Sequence, residues 1–138
     1  MRIGRVLTGG LVVLALLASC QQQQVESKAT LSERVAKYWT LKQSKGWDEV
    51  YERFLDPKSK ETVKKEAFLG RRRLSFDVLS FNVKEAKEEG DSAKVAVENE
   101  VNFPIKSPAG EMQLIKKQVT TTETWVRRDG TWYIQLEE

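Results

Sequence analysis

Three polar side chains occupy positions on otherwise apolar alternations, and each is of a type that can do chemistry. Asp77 shares an alternation with Leu79 and Phe81, Asn99 lies between Val97 and Val101, and Tyr38 belongs to a helical stripe with Leu31, Val35 and Trp39. A carboxylate held in an apolar hollow has a raised pKa and can move a proton, and a phenol can donate a hydrogen bond to a developing oxyanion. Tyr38, Asp77 and Asn99 are therefore the candidate ligand-binding residues. No catalytic residue is assigned, because each has an ordinary structural use: Asp77 at a solvated strand start, Asn99 bonded to backbone or a buried water, Tyr38 with its hydroxyl at the surface. The chain holds no His and one Cys, Cys20. That count excludes zinc-site spacings, haem attachment, an internal disulfide and any His-assisted nucleophile, so neither a metal nor another cofactor is expected.

The lone thiol has a telling context. Residues 1–19 carry Arg2 and Arg5, then an apolar run from Val6 to Ala18 broken by Thr8-Gly9-Gly10, then small residues before Cys20. This is the organisation of a signal peptide, and the run is shorter than the roughly 18 to 20 residues that cross a bilayer. Leu17-Ala18-Ser19-Cys20 resembles a bacterial lipobox. The resemblance implies cleavage before Cys20, attachment of diacylglycerol to its thiol and acylation of the new amino group. Each buried methylene contributes ~0.8 kcal/mol, so two or three chains would hold the protein on its membrane. Residues 20–30, polar and aperiodic, read as the lipidated Cys and a flexible tether reaching at most ~35 Å. Gln21, where an Asp would signal retention, implies sorting to the outer membrane facing the periplasm in a source with two membranes.

The 138 residues include 23 Lys plus Arg against 20 Asp plus Glu, and removing Arg2 and Arg5 with the leader leaves 21 basic side chains against 20 acidic. A near-neutral domain lacks the footprint of a nucleic-acid binder, and no nucleic-acid partner is expected.

The elements that must position these residues fall in two halves of a domain spanning 31–138. Thr30-Leu31-Ser32-Glu33 fits a capping box, and Leu31, Val35, Tyr38, Trp39 and Lys42 follow at helical spacing until Gly46, which is placed to stop the helix. Trp47, Val50, Tyr51, Phe54 and Leu55 form a second amphipathic arc ending at Asp56-Pro57. A third helix is predicted from near Ser59 to Leu69, with Val63 and Ala67 inward and Gly70 as its cap. The aromatic stripe reads as core in preference to a pocket lining, since such stripes mostly reflect burial. Arg71-Arg72-Arg73 reads as a solvated loop in preference to a patch for acidic headgroups.

From Leu74 onward the period becomes two. Asp77, Leu79, Phe81 and Val83 are predicted to share one strand face, with a turn at Glu88-Glu89-Gly90-Asp91. Ala93, Val95, Val97, Asn99, Val101 and Phe103 form the inward face of a second strand, ended by Pro104, and Ser107 to Gly110 supplies a hairpin loop. The third strand, Glu111 to Arg128, changes phase between Leu114 and Val119, which predicts a bulge near Lys116 to Gln118. Asp129-Gly130 marks a tight turn into a last strand with Trp132, Ile134 and Leu136 inward. Helices followed by an antiparallel meander make the class α+β.

On Tyr38-Trp39, Trp47 to Leu55, Trp125 and the closing Asp129-Gly130-Thr131-Trp132-Tyr133, the chain resembles the NTF2-like, or cystatin-like, family. The resemblance implies amino-terminal helices packed in the hollow of a strongly curved four-stranded antiparallel sheet. Such a cone serves enzymes, small-ligand binders and docking modules, so the site must decide. Two functions are carried forward: a lipid-anchored envelope protein that binds a small apolar ligand or a protein partner, and a small-molecule isomerase or dehydratase using a carboxylate and a tyrosine. A homodimer or protein partner would use the outer sheet face of Thr120, Thr122, Thr124, Lys94, Glu98 and Glu100, which also suits plain solvent exposure.

Overall fold

The computed structural model describes residues 29–73 and 76–136. The expected leader and most of the tether, Cys20 included, lie outside the described residues. Helix α1, Leu31–Ser44, opens on the capping box foreseen from sequence: the Glu33 amide donates to Thr30 Oγ1 at 3.2 Å and the Thr30 amide to Glu33 Oε2 at 2.8 Å. It buries Leu31, Val35, Tyr38 and Trp39, and also Arg34. The left-handed residue that ends it is Lys45, at φ 59°, in place of the expected Gly46. Gly46 follows at an ordinary φ of −74°, where a Cβ would meet only the tip of a side chain, Leu41 Cδ2, at 2.9 Å.

Helix α2, Trp47–Glu49, continues directly into a π-helical turn, Val50–Phe54, and the five apolar residues of the predicted arc are all buried. The third helix is two: α3, Pro57–Thr62, and α4, Lys65–Arg72, separated by an extended Val63. The Val63 carbonyl accepts from the Tyr51 hydroxyl at 2.9 Å, a tertiary bond that local periodicity does not register. As a result Phe68, not Ala67, enters the core, and α4 runs through Gly70 into the arginines instead of stopping there.

Strands β1 (Asp77–Glu89), β2 (Ser92–Lys106), β3 (Met112–Arg128) and β4 (Thr131–Gln135) form one antiparallel sheet in sequential order. The α+β class and the four-stranded meander match the sequence reading. Ala93, Val95 and Val97 of β2 meet the helices in a common core with Trp39, Phe54 and Trp125. Asp129 and Gly130 both take positive φ, 50° and 80°, as a two-residue hairpin turn requires.

The strand expectations are corrected in three places. The β2–β3 register runs without interruption from Ser92–Val126 to Lys106–Met112, so no bulge lies at 116–118. Val119, Thr121, Glu123 and Trp125 keep one phase, and Met112 and Leu114 are simply exposed on the other face, at 68% and 67%. Pro104 does not end β2; it sits opposite Leu114, past the start of β1, where β2 has a single neighbour. In β1 the register shifts between Val78 and Ser80 and again between Val83 and Glu85. The first shift breaks the expected alternation, so Val78 and Phe81 pack on the core while Asp77 and Leu79 are exposed.

The helices are pinned to β4. Arg34 donates from Nε to the Trp132 carbonyl at 2.9 Å and from Nη2 to the Arg53 carbonyl at 2.6 Å, with its guanidinium 4.0 Å from the centre of the Phe54 ring. The Asp56 amide donates to the Ile134 carbonyl, and the buried Asp56 carboxylate accepts both Nε and Nη2 of Arg128, at 2.5 and 3.0 Å. Because β4 pairs only with Thr124–Arg128, the far side of β3 from Met112 to Glu123 faces no strand among the described residues.

Candidate ligand-binding site

A half-open pocket of 290 Å³ lies between the helices and the inner sheet face. Helix α1 contributes Trp39 and, one turn on, Lys42; Trp47 comes from the start of α2 and Arg72 from the last turn of α4. The inward phase of β2 supplies Asn99, Val101 and Phe103, and that of β3 supplies Lys117, Val119 and Thr121. The alternation that makes β2 a half-buried strand thus also places an amide among apolar walls. Its Nδ2 donates to Thr121 Oγ1 at 3.0 Å and to the Val97 carbonyl at 3.3 Å.

Each of the three cations lining the pocket lies near an aromatic ring. Lys42 Nζ is 3.7 Å from the centre of the Trp39 ring, the Arg72 guanidinium is 5.5 Å from Trp47 and 5.1 Å from Phe68, and Lys117 Nζ is 5.8 Å from Phe103. None of the three makes an ion pair among the described residues. Burial pulls the Lys42 pKa down to about 8; the Glu123 charge opposes this and the Arg72 charge adds to it. Glu123 is buried behind the wall, where its Oε2 accepts from the indoles of Trp125 at 3.1 Å and Trp39 at 3.3 Å. Desolvation pushes its pKa up against the opposing influence of Lys42 and the two indole bonds. Trp47 Nε1 is buried without a partner among the described residues, an unmade hydrogen bond beside the pocket.

Of the three residues singled out from sequence, Asn99 lines this pocket and the other two do not. Tyr38 packs among Trp39, Phe54 and Trp125 with ring centres 6.3, 6.2 and 5.5 Å away, and burial raises its phenol pKa. Asp77 is half exposed at the start of β1 and paired with Lys45 at 2.6 Å, in keeping with the solvated strand start that is its ordinary structural use. Cys20 lies outside the described residues. The aromatic stripe is core, as expected, but Trp39 and Trp47 also form pocket wall. Arg71 and Arg72 belong to α4, not to a loop after it. Among the described residues no group of three or more potential metal ligands comes together.

A larger groove of 530 Å³ lies between α3, α4 and the end of β4. Its carboxylate, Asp56, is already taken by Arg128, and it shares Arg72 with the smaller pocket. The smaller pocket, with aromatic walls and unpaired cations, is the better candidate. The outer sheet face is laced by cross-strand contacts: Lys94 Nζ donates to Thr124 Oγ1 at 2.5 Å, Gln118 to Glu98 at 3.2 Å, and Lys84 lies 3.8 Å from Glu98.

No family model matches the chain, and no curated protein matches it. Solved structures do. A SEC-C motif containing protein of Rhodopseudomonas palustris matches at a TM-score of 0.59 and 15% identity, over 87% of this chain and 86% of that one. A SEC-C motif containing protein of Psychrobacter arcticus matches at 0.51 and 13% identity, over 93% and 75%. The intermembrane space region of the chloroplast protein ARC6 matches at 0.50 and 15% identity, over 75% and 88%. At such identities the likeness is one of fold: helices against a four-stranded antiparallel sheet.

Proposed function

We propose that this protein is a lipid-anchored envelope protein whose NTF2-like domain binds a small, largely apolar molecule between its helices and its sheet. The observation that carries the binding reading is the pocket itself, a concavity with aromatic and aliphatic walls and a few convergent polar groups. A strongly curved, cone-like sheet is part of the proposal, and two register shifts in β1 support it, since bulges bend strands and increase their twist. The anchor rests on the leader and on Leu17-Ala18-Ser19-Cys20. No helix among the described residues is long and apolar enough to cross a membrane.

The isomerase reading has less support. It needs a carboxylate and a phenol converging on one hollow, and Asp77 and Tyr38 are instead in solvent and in the aromatic core.

Titration of the full chain with N-phenyl-1-naphthylamine, a neutral apolar fluorophore, tests the binding reading. Saturable, blue-shifted emission is expected, and Thr121→Trp, which fills the pocket, should remove it without changing the melting temperature by more than a few degrees. Val119→Trp serves in its place if that variant unfolds. Emission that stays at the free-dye level, or that survives both fillings, would overturn the reading. Intact mass of membrane-extracted protein tests the anchor: a mature chain starting at Cys20 with added diacylglycerol is expected, and retention of residues 1–19 overturns it.

A further inference from the structure

We propose that the ligand of this pocket is a single-chain amphipathic anion, its tail against the aromatic wall and its carboxylate or phosphate head at Lys42, Arg72 and Lys117. The inference rests on the binding reading and adds the sign and shape of what is bound. Among the described residues the pocket lining contains three cations and no carboxylate. In a domain whose basic and acidic side chains are otherwise almost balanced, that local excess sets a positive field at the pocket.

The cations come from three elements, α1, α4 and β3, and converge only in the folded chain. Each rests near a ring that also forms wall, Trp39, Trp47 or Phe103, so charge and apolar surface are presented together. That juxtaposition fits a molecule with a charged end and a hydrocarbon body. Glu123, buried behind the wall, answers at most one of the three charges, through Lys42. A neutral molecule of the same size would leave Arg72 and Lys117 without an ion-pair partner among the described residues, and a cationic one would be repelled. The half-buried Lys42 carries a desolvation penalty that an arriving anion would offset. Asn99 and Thr121 spend a hydrogen bond on each other, which leaves the head to the cations.

Calorimetric titration of the full chain with decanoate and decyltrimethylammonium, each below its critical micelle concentration, and with decanol below its solubility limit, separates the possibilities. Decanoate is expected to bind at least about tenfold more tightly than decanol, the factor of one charge-assisted contact, and the ammonium not to bind. Arg72→Gln and Lys117→Gln should each weaken decanoate by about tenfold and decanol by clearly less, so that the preference for the anion narrows; an equal loss for both ligands would overturn the charge assignment. Both side chains are at least partly exposed, so folding should survive, as a circular dichroism melt would verify. Decanol binding as tightly as decanoate would overturn the inference and leave the binding reading standing. Failure of all three probes together with N-phenyl-1-naphthylamine would overturn both. Binding to phosphatidylglycerol vesicles with none to free decanoate would assign the cations to a membrane surface and overturn the free-anion proposal.

Discussion

Asp56 shows how much one side chain can hold. Its backbone joins the helical half to β4 and its carboxylate takes both donors of Arg128. Hydrogen bonding to Arg128 keeps its pKa below the ordinary carboxylate value, against the opposing effect of burial. A depressed folded-state pKa contributes stability that is present above the unfolded value, near ~4, and is lost as pH falls through the folded value. Asp56→Asn should therefore cost about 1–3 kcal/mol at neutral pH, at the lower end if the partly exposed Arg128 rehydrates, and the deficit should shrink below pH ~4. Urea unfolding at pH 7 and pH 3 checks both statements. At this scale the site is only partly legible in the sequence. Asn99 stands out because β2 alternates cleanly around it. Glu123 shares the inward phase of Thr121 and Trp125, so the same alternation could have found it. Lys42, Arg72 and Lys117 give no joint signal, because they lie on elements that only tertiary structure brings together.

Elements are legible where one face is buried throughout, as in α1 and β2, and illegible where a distant contact decides. The split between α3 and α4 depends on Tyr51 reaching the Val63 carbonyl, and the phase of β1 depends on its pairing with β2. In β3 the apolar Met112 and Leu114 suggest burial, yet they lie on the outer face, on the opposite alternation from Val119, Thr121 and Trp125, and the unbroken register has no bulge to turn them inward. The end of α1 carries a testable cost. Lys45 is held at φ 59°, ψ 33°, which disfavours any residue with a Cβ, and its ion pair with Asp77 is half exposed and worth little. Lys45→Gly should stabilise the fold by about 0.5–1 kcal/mol, seen as a higher urea midpoint at an unchanged slope. A lower midpoint would show that the surface ion pair matters more than the backbone.

For the molecule as a whole, the α+β plan follows from the change of period near residue 74, which any reading of the chain must meet. The arrangement between halves follows from contacts no local pattern contains: Arg34 on Trp132, Leu55 bridged in parallel to Ile134, Asp56 on Arg128. These ties explain why β4 can be only five residues long and still close the sheet. They also leave β3 much longer than its last neighbour. Among the described residues the side of β3 away from β2, from Met112 to Glu123, is an open margin of amides and carbonyls, in a stretch carrying Met112, Leu114, Ile115 and Val119, the kind of template on which chains stack into fibrils. Lys116 interrupts its greasy side chains and acts as a gatekeeper. Lys116→Val should shorten the lag of thioflavin-positive aggregation on mild warming while leaving the unfolding midpoint close to that of the parent, so that the hazard is colloidal and not a loss of fold.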